Sequence, residues 1–508
     1  MSTVSEKNSV VEGDRVSVED DRLLRKVDRR LLPVFTLLYL LSFLDRSNIG
    51  NAKIDGMTTD LGVSPASYNT ALAIYFVGYV VFEVPANVCA ANSNSPLQLT
   101  SFPPDDKCNP QVWLPSLTLA WGIVSIGQGL VKNQAGLFGI RFLLGATEAG
   151  LFPGVVYVFS VYYLRHERSW RVAIFFGGAA LAGAFGGIFA YCIGLMNGVG
   201  GRRGWQWIFI LEGILTSGRF PHRIFHCAHL VSRCQICACS PSVLSPQNVN
   251  LLQLSETEKT RLLDRLRADS DAGTDQVFKW SSVRDAFSDH LVWAYAFLFH
   301  GFSFVLYSLS LFLPTIIAGL GFKTWQAQLM TVPPNVLASF SIWTTVYFSS
   351  KYNVRAPFII GAAIVSIIGY ILLIACTSAG LQYFGVHLAA AGVYTGNSLL
   401  LSWPGENVSG QAKRAVAVAL QISVGDIGAI AGCLIYRPTL SSHLYRTPNL
   451  IAIGYLLFAI MMTTYLWVVM SVENRRRDRL LSKGEAKEET EEERIRLGDR
   501  SVRYRYRI

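Results

Sequence analysis

The sequence predicts an all-α, polytopic membrane protein built as two six-helix bundles, and three observations predict it. Of 508 residues, 51% are hydrophobic and only 16% charged, with a mean hydropathy of +0.33. Soluble domains carry about 25% charged residues. The apolar residues gather in blocks of about 20, the length a helix needs to cross a hydrocarbon core of about 30 Å. Basic clusters flank those blocks: Arg22, Arg25, Lys26, Arg29 and Arg30 precede the first, and Arg475, Arg476, Arg477 and Arg479 follow the last. Lys and Arg collect on the cytosolic side of membrane spans. Both termini are therefore expected in the cytosol, with an even number of spans and the plasma membrane as the location. The formal charge of +10 is then accounted for at the membrane surface, and no nucleic-acid partner is expected.

Residues 1–30 are polar and charged, so a cytosolic tail is expected there, without a cleavable signal peptide. Eleven apolar spans follow, at about 31–50, 68–88, 112–131, 135–164, 172–196, 291–319, 325–349, 356–376, 383–404, 415–436 and 449–470. A twelfth opens at Trp205 and stops after twelve residues. Loops expected on the cytosolic side carry Arg165, Arg168, Arg171, Lys351, Arg355, Lys413 and Arg414, whereas the loop 377–382 has no base; Arg202 and Arg203 break the trend. The expected division is an N-terminal bundle over 31–216, a polar cytosolic linker over 254–290, a C-terminal bundle over 291–470 and a cytosolic tail over 471–508. Glu256, Lys259, Arg261, Asp264 and Arg265 give the linker the period of a short amphipathic helix. The tail is dense in both charge signs and is expected to be disordered or loosely helical. Two bundles with a cleft between them are the arrangement of many secondary transporters.

Two segments interrupt this pattern. Residues 89–109 bring Pro, Ser, Asn and Asp between the second and third spans. Residues 217–253 bring Arg219, Arg223, Arg233, His222, His226, His229 and four of the nine cysteines where the sixth span should continue. Charges cost about 2.5–3.5 kcal/mol each at mid-bilayer, so this stretch cannot span, and the sixth helix is expected to be disrupted. Cys234, Cys237 and Cys239 with His226 and His229 suggest zinc, but their spacing fits no ligand pattern closely. A gene-model artefact, such as an unspliced intron or a frameshift, is the favoured reading, ahead of an unusual loop. No metal and no cofactor is expected.

The chemistry lies in charges that sit inside apolar spans. Asp45, Arg46, Asn48 and Asn51 fall within two turns at the end of the first span. In the fourth, Arg141 and Glu148 are seven residues apart, nearly two turns, and share a face. Gly145, Ala149 and Gly150 beside them, and Gly177, Gly178, Gly183, Gly186 and Gly187 in the fifth span, permit close helix approach. Intramembrane charges face a bundle interior and mark transport paths; the alternative is static ion pairs that fix helix register. A buried guanidinium suits a carboxylate guest held by two parallel hydrogen bonds. A buried carboxylate suits gain and loss of a proton. Substrate contacts are accordingly expected from Arg46, Arg141, Asn48, Tyr307 and Asn397, and proton coupling from Asp45, Glu148 and Asp426. Trp403 and His300 are weaker cavity candidates, and Glu83 and Glu212, near span ends, are read as structural. The sequence has no G-x-x-x-x-G-K-[ST] phosphate loop, so neither ATP drive nor an enzyme is expected. Asn407-Val-Ser409 matches a glycosylation sequon at a cytosolic span end, where it would not be used.

These residues also carry a family resemblance. The stretch Leu-Asp45-Arg46-Ser-Asn48-Ile-Gly, then Phe-Glu83-Val-Pro-Ala-Asn87, Arg141-Phe-Leu-Leu-Gly-Ala-Thr-Glu148-Ala-Gly, Gly204-Trp-Gln-Trp-Ile-Phe-Ile-Leu-Glu-Gly213 and Asn407-Val-Ser-Gly-Gln-Ala-Lys413-Arg414 resemble motifs of the major facilitator superfamily. Within it, the chain resembles the anion:cation symporter group and its fungal allantoate, nicotinate and pantothenate permease branch, over about residues 30–88, 110–216 and 254–475. The resemblance implies the twelve-helix major-facilitator fold and uptake of a small carboxylate with protons by alternating access. At the matching positions it implies proton handling by Asp45 and Glu148, and carboxylate binding or coupling by Arg46 and Arg141. The fifth span lacks the Gly-Pro dipeptide typical of drug:proton antiporters, which favours uptake over efflux. Three departures stand out: the insertion at 89–109, the collapse of the sixth span, and Asp426 where Asn is expected. The expected function is import of a monocarboxylate such as nicotinate. Allantoate, pantothenate or another carboxylate, or a nutrient receptor without net transport, are the alternatives. The expected partners are the substrate, the proton and the lipid bilayer, with a monomeric protein.

Overall fold

The computed structural model describes residues 2–92, 110–217, 280–436, 442–484 and 497–508, with residues 255, 257–258, 260–262, 265, 489–490 and 493 between them. The inserted segment at 93–109 and the Cys/His-rich stretch at 218–253 lie outside the described residues, and so do the zinc and gene-model readings attached to them.

Among the described residues the regular structure is helical throughout. The first span belongs to α1 (Ser2–Ser47), which runs unbroken from the charged segment into the apolar one. Its backbone ladder continues past Asn48 into α2 (Ile49–Ile54), through Asn48 N–H to Leu44 O (2.9 Å) and Ala52 N–H to Asn48 O (2.8 Å). Then come α3 (Pro65–Asn92), α4 (Pro110–Gln128), α5 (Gln134–Glu148), α6 (Leu151–Tyr162), α7 (Arg165–Gly194) and α8 (Gly204–Ser217). The second half of the chain contributes α9 (Trp280–Ser288), α10 (His290–Gly319), α11 (Val332–Tyr352), α12 (Ala356–Ala375), α13 (Ala379–Asn407), α14 (Gln411–Leu434) and α15 (Ser442–Ser482).

Local chemistry sets several of these boundaries. Asn133 caps α5 by accepting from Gly136 N–H at 2.8 Å, and Asp289 caps α10 by accepting from Leu291 N–H at 2.9 Å, satisfying donors that a helix start leaves open. The span expected over 135–164 is interrupted directly after Glu148, where Ala149 and Gly150 separate α5 from α6. Among the described residues, five helical stretches are long and apolar enough to cross a membrane on length and composition alone: Trp170–Gly194, His290–Gly319, Ala356–Ala375, Lys413–Leu434 and Tyr445–Ser482. Helices such as α1 and α5 differ for a physical reason: they carry the buried charges, and α5 is cut short by the break.

The N- and C-terminal halves of the chain meet along α3 with α14 and along α7 with α11. Within the first half, α3 and α5 approach until side chains no longer fit between them. A Cβ on Gly145 would fall on the Tyr75 carbonyl, and one on Gly78 would fall on the Phe142 carbonyl. Close backbone approach of this kind is how membrane helices gain packing without a hydrophobic driving force. Gly145→Val should therefore lower the melting temperature of the detergent-purified protein and its surface yield, since forced overpacking costs about 1–3 kcal/mol. An unchanged melting curve would show that α3 and α5 can separate freely.

One end of the helices collects the basic residues, and both halves are stapled there. Asp28 on α1 holds Arg171 on α7 through two bonds of 2.7 and 2.8 Å, and Arg355 pairs with Glu406 at 2.9 Å. The described linker residues dock at the same end. Lys26 pairs with Glu258 at 2.8 Å, Arg261 with Asp20 at 2.6 Å, and Arg265 with both Asp20 and Glu167. The hydrogen bond from Lys26 holds the Glu258 carboxyl below its usual range.

The tail corrects an expectation. It was read as disordered or loosely helical, yet α15 continues to Ser482 and residues 497–508 fold back onto the basic end of the second half. Arg507 O accepts from both Trp403 Nε1 and Asn407 Nδ2 at 2.9 Å, and Arg507 N–H donates to Asn407 Oδ1 at 2.7 Å. Arg355 N–H donates to Ile508 O at 2.7 Å, and Lys413 pairs with Asp499 at 2.6 Å. Arg477 donates to the carbonyls of Tyr504 (2.9 Å) and Asp499 (2.8 Å). Mixed charge that reads as disorder in isolation here meets matched partners on the ends of α11 to α15. The same contacts bury Asn407 and occupy its amide, so the sequon is closed to a glycan.

Candidate functional site

Arg46 is the hub of the interior. Its side chain projects from α1 with the residue 6% exposed, and its Nη2 pairs with Glu148 Oε2 of α5 at 3.0 Å. Nη1 donates to the Tyr307 hydroxyl of α10 at 2.6 Å, so the guanidinium joins the two halves of the chain. The rings of Tyr75, Tyr79 and Tyr307 lie 4.9, 5.4 and 5.5 Å from it. Such a box stabilises a cation while leaving its edge open to exchange partners. Tyr75 also donates its hydroxyl to Glu148.

Asp45 and Arg46 do not act as one pair. Consecutive helical residues project about 100° apart, so Asp45 turns to the other side of α1. There it accepts from Ser125 Oγ of α4 at 2.7 Å, with the Glu212 carboxyl of α8 beside it. Arg141 shares a face with Glu148, as its spacing predicts. It is 1% exposed, and its Nε and Nη2 have no hydrogen-bond partner among the described residues. A buried guanidinium with unmet donors has the chemistry to pair with an anion.

The remaining candidates separate. Tyr307 lies in the hub. Asn48 is committed elsewhere: its Nδ2 donates to Glu212, and its Oδ1 accepts from Asn51 Nδ2 at 2.8 Å. Asn397 donates to the carbonyls of Val393 (3.1 Å) and Phe302 (3.3 Å), which leaves its Oδ1 unpartnered. Asp426 is buried with Oδ2 unpartnered, one turn along α14 from Ser423, whose Oγ donates to Glu83 Oε2 at 3.3 Å. Trp403 points into the tail contact rather than a cavity, and the His300 ring is engaged by Val424 O at 2.9 Å.

Glu83 and Glu212, read from the sequence as structural, join the site. Each is buried, each has one oxygen unpartnered, and each stands beside a candidate proton carrier. The available signal was that they are acids inside apolar spans, which marks a functional group by default. Five buried carboxyls (Asp45, Glu83, Glu148, Glu212 and Asp426) thus share the interior with the guanidiniums of Arg46 and Arg141. That excess of acid over base can be neutralised by protons, because uncompensated charge is expensive away from water. Among the described residues no group of three or more His, Cys, Asp and Glu is placed to hold a metal ion.

Comparison with known proteins agrees with this architecture. The sequence pattern of the Major Facilitator Superfamily matches residues 35–218. The MFS-type transporter cnsO of Penicillium expansum is 33% identical over 525 residues, spanning 100% of this chain and 96% of that protein. The high-affinity nicotinic acid transporter of Saccharomyces cerevisiae is 29% identical over 489 residues, spanning 96% of this chain and 85% of that protein. Among solved structures, a bacterial homologue of the human lysosomal transporter Spinster, inward-facing and unoccupied, superposes with a TM-score of 0.61 at 16% identity. It covers 86% of this chain and 96% of that one, a likeness of fold. The chain is a membrane protein of the major facilitator superfamily, a transporter in that family's fungal permease branch.

Proposed function

We propose that the protein imports a small organic monocarboxylate together with protons, by alternating access of its two halves. In this reading it sits in the plasma membrane with the basic end and both termini in the cytosol. The observation that carries the reading is the Arg46 guanidinium held between Glu148 of one half and Tyr307 of the other, with the donors of Arg141 unmet nearby.

The chemistry follows from competition for one cation. A substrate carboxylate and the Glu148 carboxylate both suit Arg46, and a guanidinium binds such groups through two parallel bonds. A proton on Glu148 weakens its hold and frees Arg46 for the substrate. Loss of that proton restores the ion pair and expels the guest. Proton and substrate are thereby linked without touching each other. Because Arg46 also holds Tyr307, exchange of its partner changes a contact between the halves. Asp45, beside Glu212, and Asp426, near Glu83, offer further proton positions. Nicotinate is the first substrate to try, given the yeast relative; allantoate and pantothenate follow.

The test is uptake of these labelled acids into proteoliposomes containing the purified protein. An inwardly directed proton gradient should drive accumulation, and a protonophore should reduce it to equilibration. Uptake that ignores the gradient would refute proton coupling. Absence of uptake for every carboxylate tried would refute the substrate class.

A further inference from the structure

Beyond the Arg46 guanidinium, on the side away from the basic end, the two halves line a small chamber whose wall combines polar residues with the apolar Gly183, Leu313 and Pro314. It has a volume of about 20 Å³ and is lined by Ser47 and Asn51 of the first span, Ser310 of α10, Thr331 and Asn335 at the start of α11, and Tyr394 of α13. The Asn51, Ser310 and Asn335 residues are 5%, 7% and 1% exposed, yet Asn51 Oδ1, Ser310 Oγ and Asn335 Oδ1 have no hydrogen-bond partner. Nearly all buried polar atoms find one, so three orphans from three helices at one cavity call for a ligand group that meets them.

The polarity of the chamber is fixed by its surroundings. Asn335 Nδ2 donates to Thr331 O at 2.8 Å, and a backbone carbonyl only accepts, so the amide oxygen is the unpartnered acceptor this residue brings to the chamber wall. Asn51 is set through a longer chain. Asn48 Nδ2 donates to the Glu212 carboxyl and Asn51 Nδ2 donates to Asn48 Oδ1, which leaves Asn51 Oδ1 as the unpartnered acceptor. Two residues with unpartnered amide oxygens and one with an unpartnered hydroxyl thus line the chamber, with no charged side chain in its wall.

We propose that this chamber is a specificity subsite that receives an N–H or O–H donor at the uncharged end of the substrate. The inference rests on the carboxylate reading above and adds to it. A volume near that of one water molecule suits one hydroxyl or amino group. Ser310 is one turn beyond Tyr307, which touches Arg46, and Asn51 is five residues beyond Arg46. At 1.5 Å per residue the donor belongs about 5–8 Å from the carboxylate. Asn51, Ser310 and Asn335 then favour hydroxy- and amido-carboxylates, allantoate and pantothenate among them, over acids whose far end carries only acceptors or methyl groups. That places nicotinate, whose ring nitrogen only accepts, behind them and reverses the order taken from the yeast relative. Asn48 acts as a positioning residue for Asn51.

The experiment compares uptake of labelled 4-hydroxybutanoate and butanoate, a pair differing by one donor, in proteoliposomes of the full chain. The wild type should show a KM at least about tenfold lower for the hydroxy acid, since sites built to hydrogen-bond a hydroxyl reject analogues lacking it. Ser310→Ala, the mildest change, and Asn335→Leu should each reduce that preference severalfold and leave the KM for butanoate within about twofold, a split that loss of folded protein would not produce. Equal KM values for the two acids in the wild type, or a preference that survives both substitutions, would overturn the subsite and leave the carboxylate reading standing. Uptake of neither acid, in protein that also ignores the other carboxylates, would overturn both.

Discussion

Arg141→Ala is expected to abolish uptake while leaving the protein at normal abundance in the membrane. Arg141 has two unpartnered guanidinium nitrogens in the interior, so among the described residues its removal breaks no ion pair and takes away a group suited to hold the substrate anion of the proposed function. Loss of a buried charge-assisted partner for a substrate costs about 2–5 kcal/mol, or roughly 30-fold to several thousand-fold in affinity. Arg141→Lys should recover little, because an ammonium is a point charge without the planar fork. Retained uptake in Arg141→Ala, measured at matched expression, would remove Arg141 from both binding and coupling.

Glu148→Gln is expected to separate two activities that the wild type performs together. Gln cannot release a proton, yet it can still meet the Tyr75 hydroxyl and the Arg46 guanidinium as a neutral partner. Arg46 then stays available to the substrate carboxylate, and exchange of labelled for unlabelled substrate should persist near the wild-type rate. Accumulation driven by a proton gradient should fall to equilibration. If exchange is lost as well, Glu148 serves only to hold Arg46 and the halves together, as a structural ion pair does.

Much of the fold was legible because lipid imposes a simple rule. Backbone groups must be satisfied internally, so apolar blocks of sufficient length become helices. Arg141 and Glu148 could be placed on one face by counting residues. The partnership of Arg46 with Glu148 and Tyr307 could not, because it depends on how three helices distant in sequence rotate about their axes. The same limit explains Asn48, whose amide is claimed by Glu212, a residue 164 positions away. The burial of Glu83 and Glu212 beside the candidate carboxyls was not legible for a different reason: proximity to a span end says nothing about the face on which a residue lies. The tail was misread because composition measures a segment against water, and residues 497–508 are instead measured against the ends of five helices.

That docked tail has a consequence for how the protein is made. Asn407 binds Arg507, 100 residues further along the chain, and translation proceeds at about 5–20 residues per second. The end of α13 must therefore wait roughly 5–20 s after its own synthesis for the segment that seals it, and the start of α12 longer still. During that interval the Arg355 and Glu406 pair stands without the tail backbone that covers it. The second half thus acquires its contacts with residues 497–508 only after all of its helices have been made.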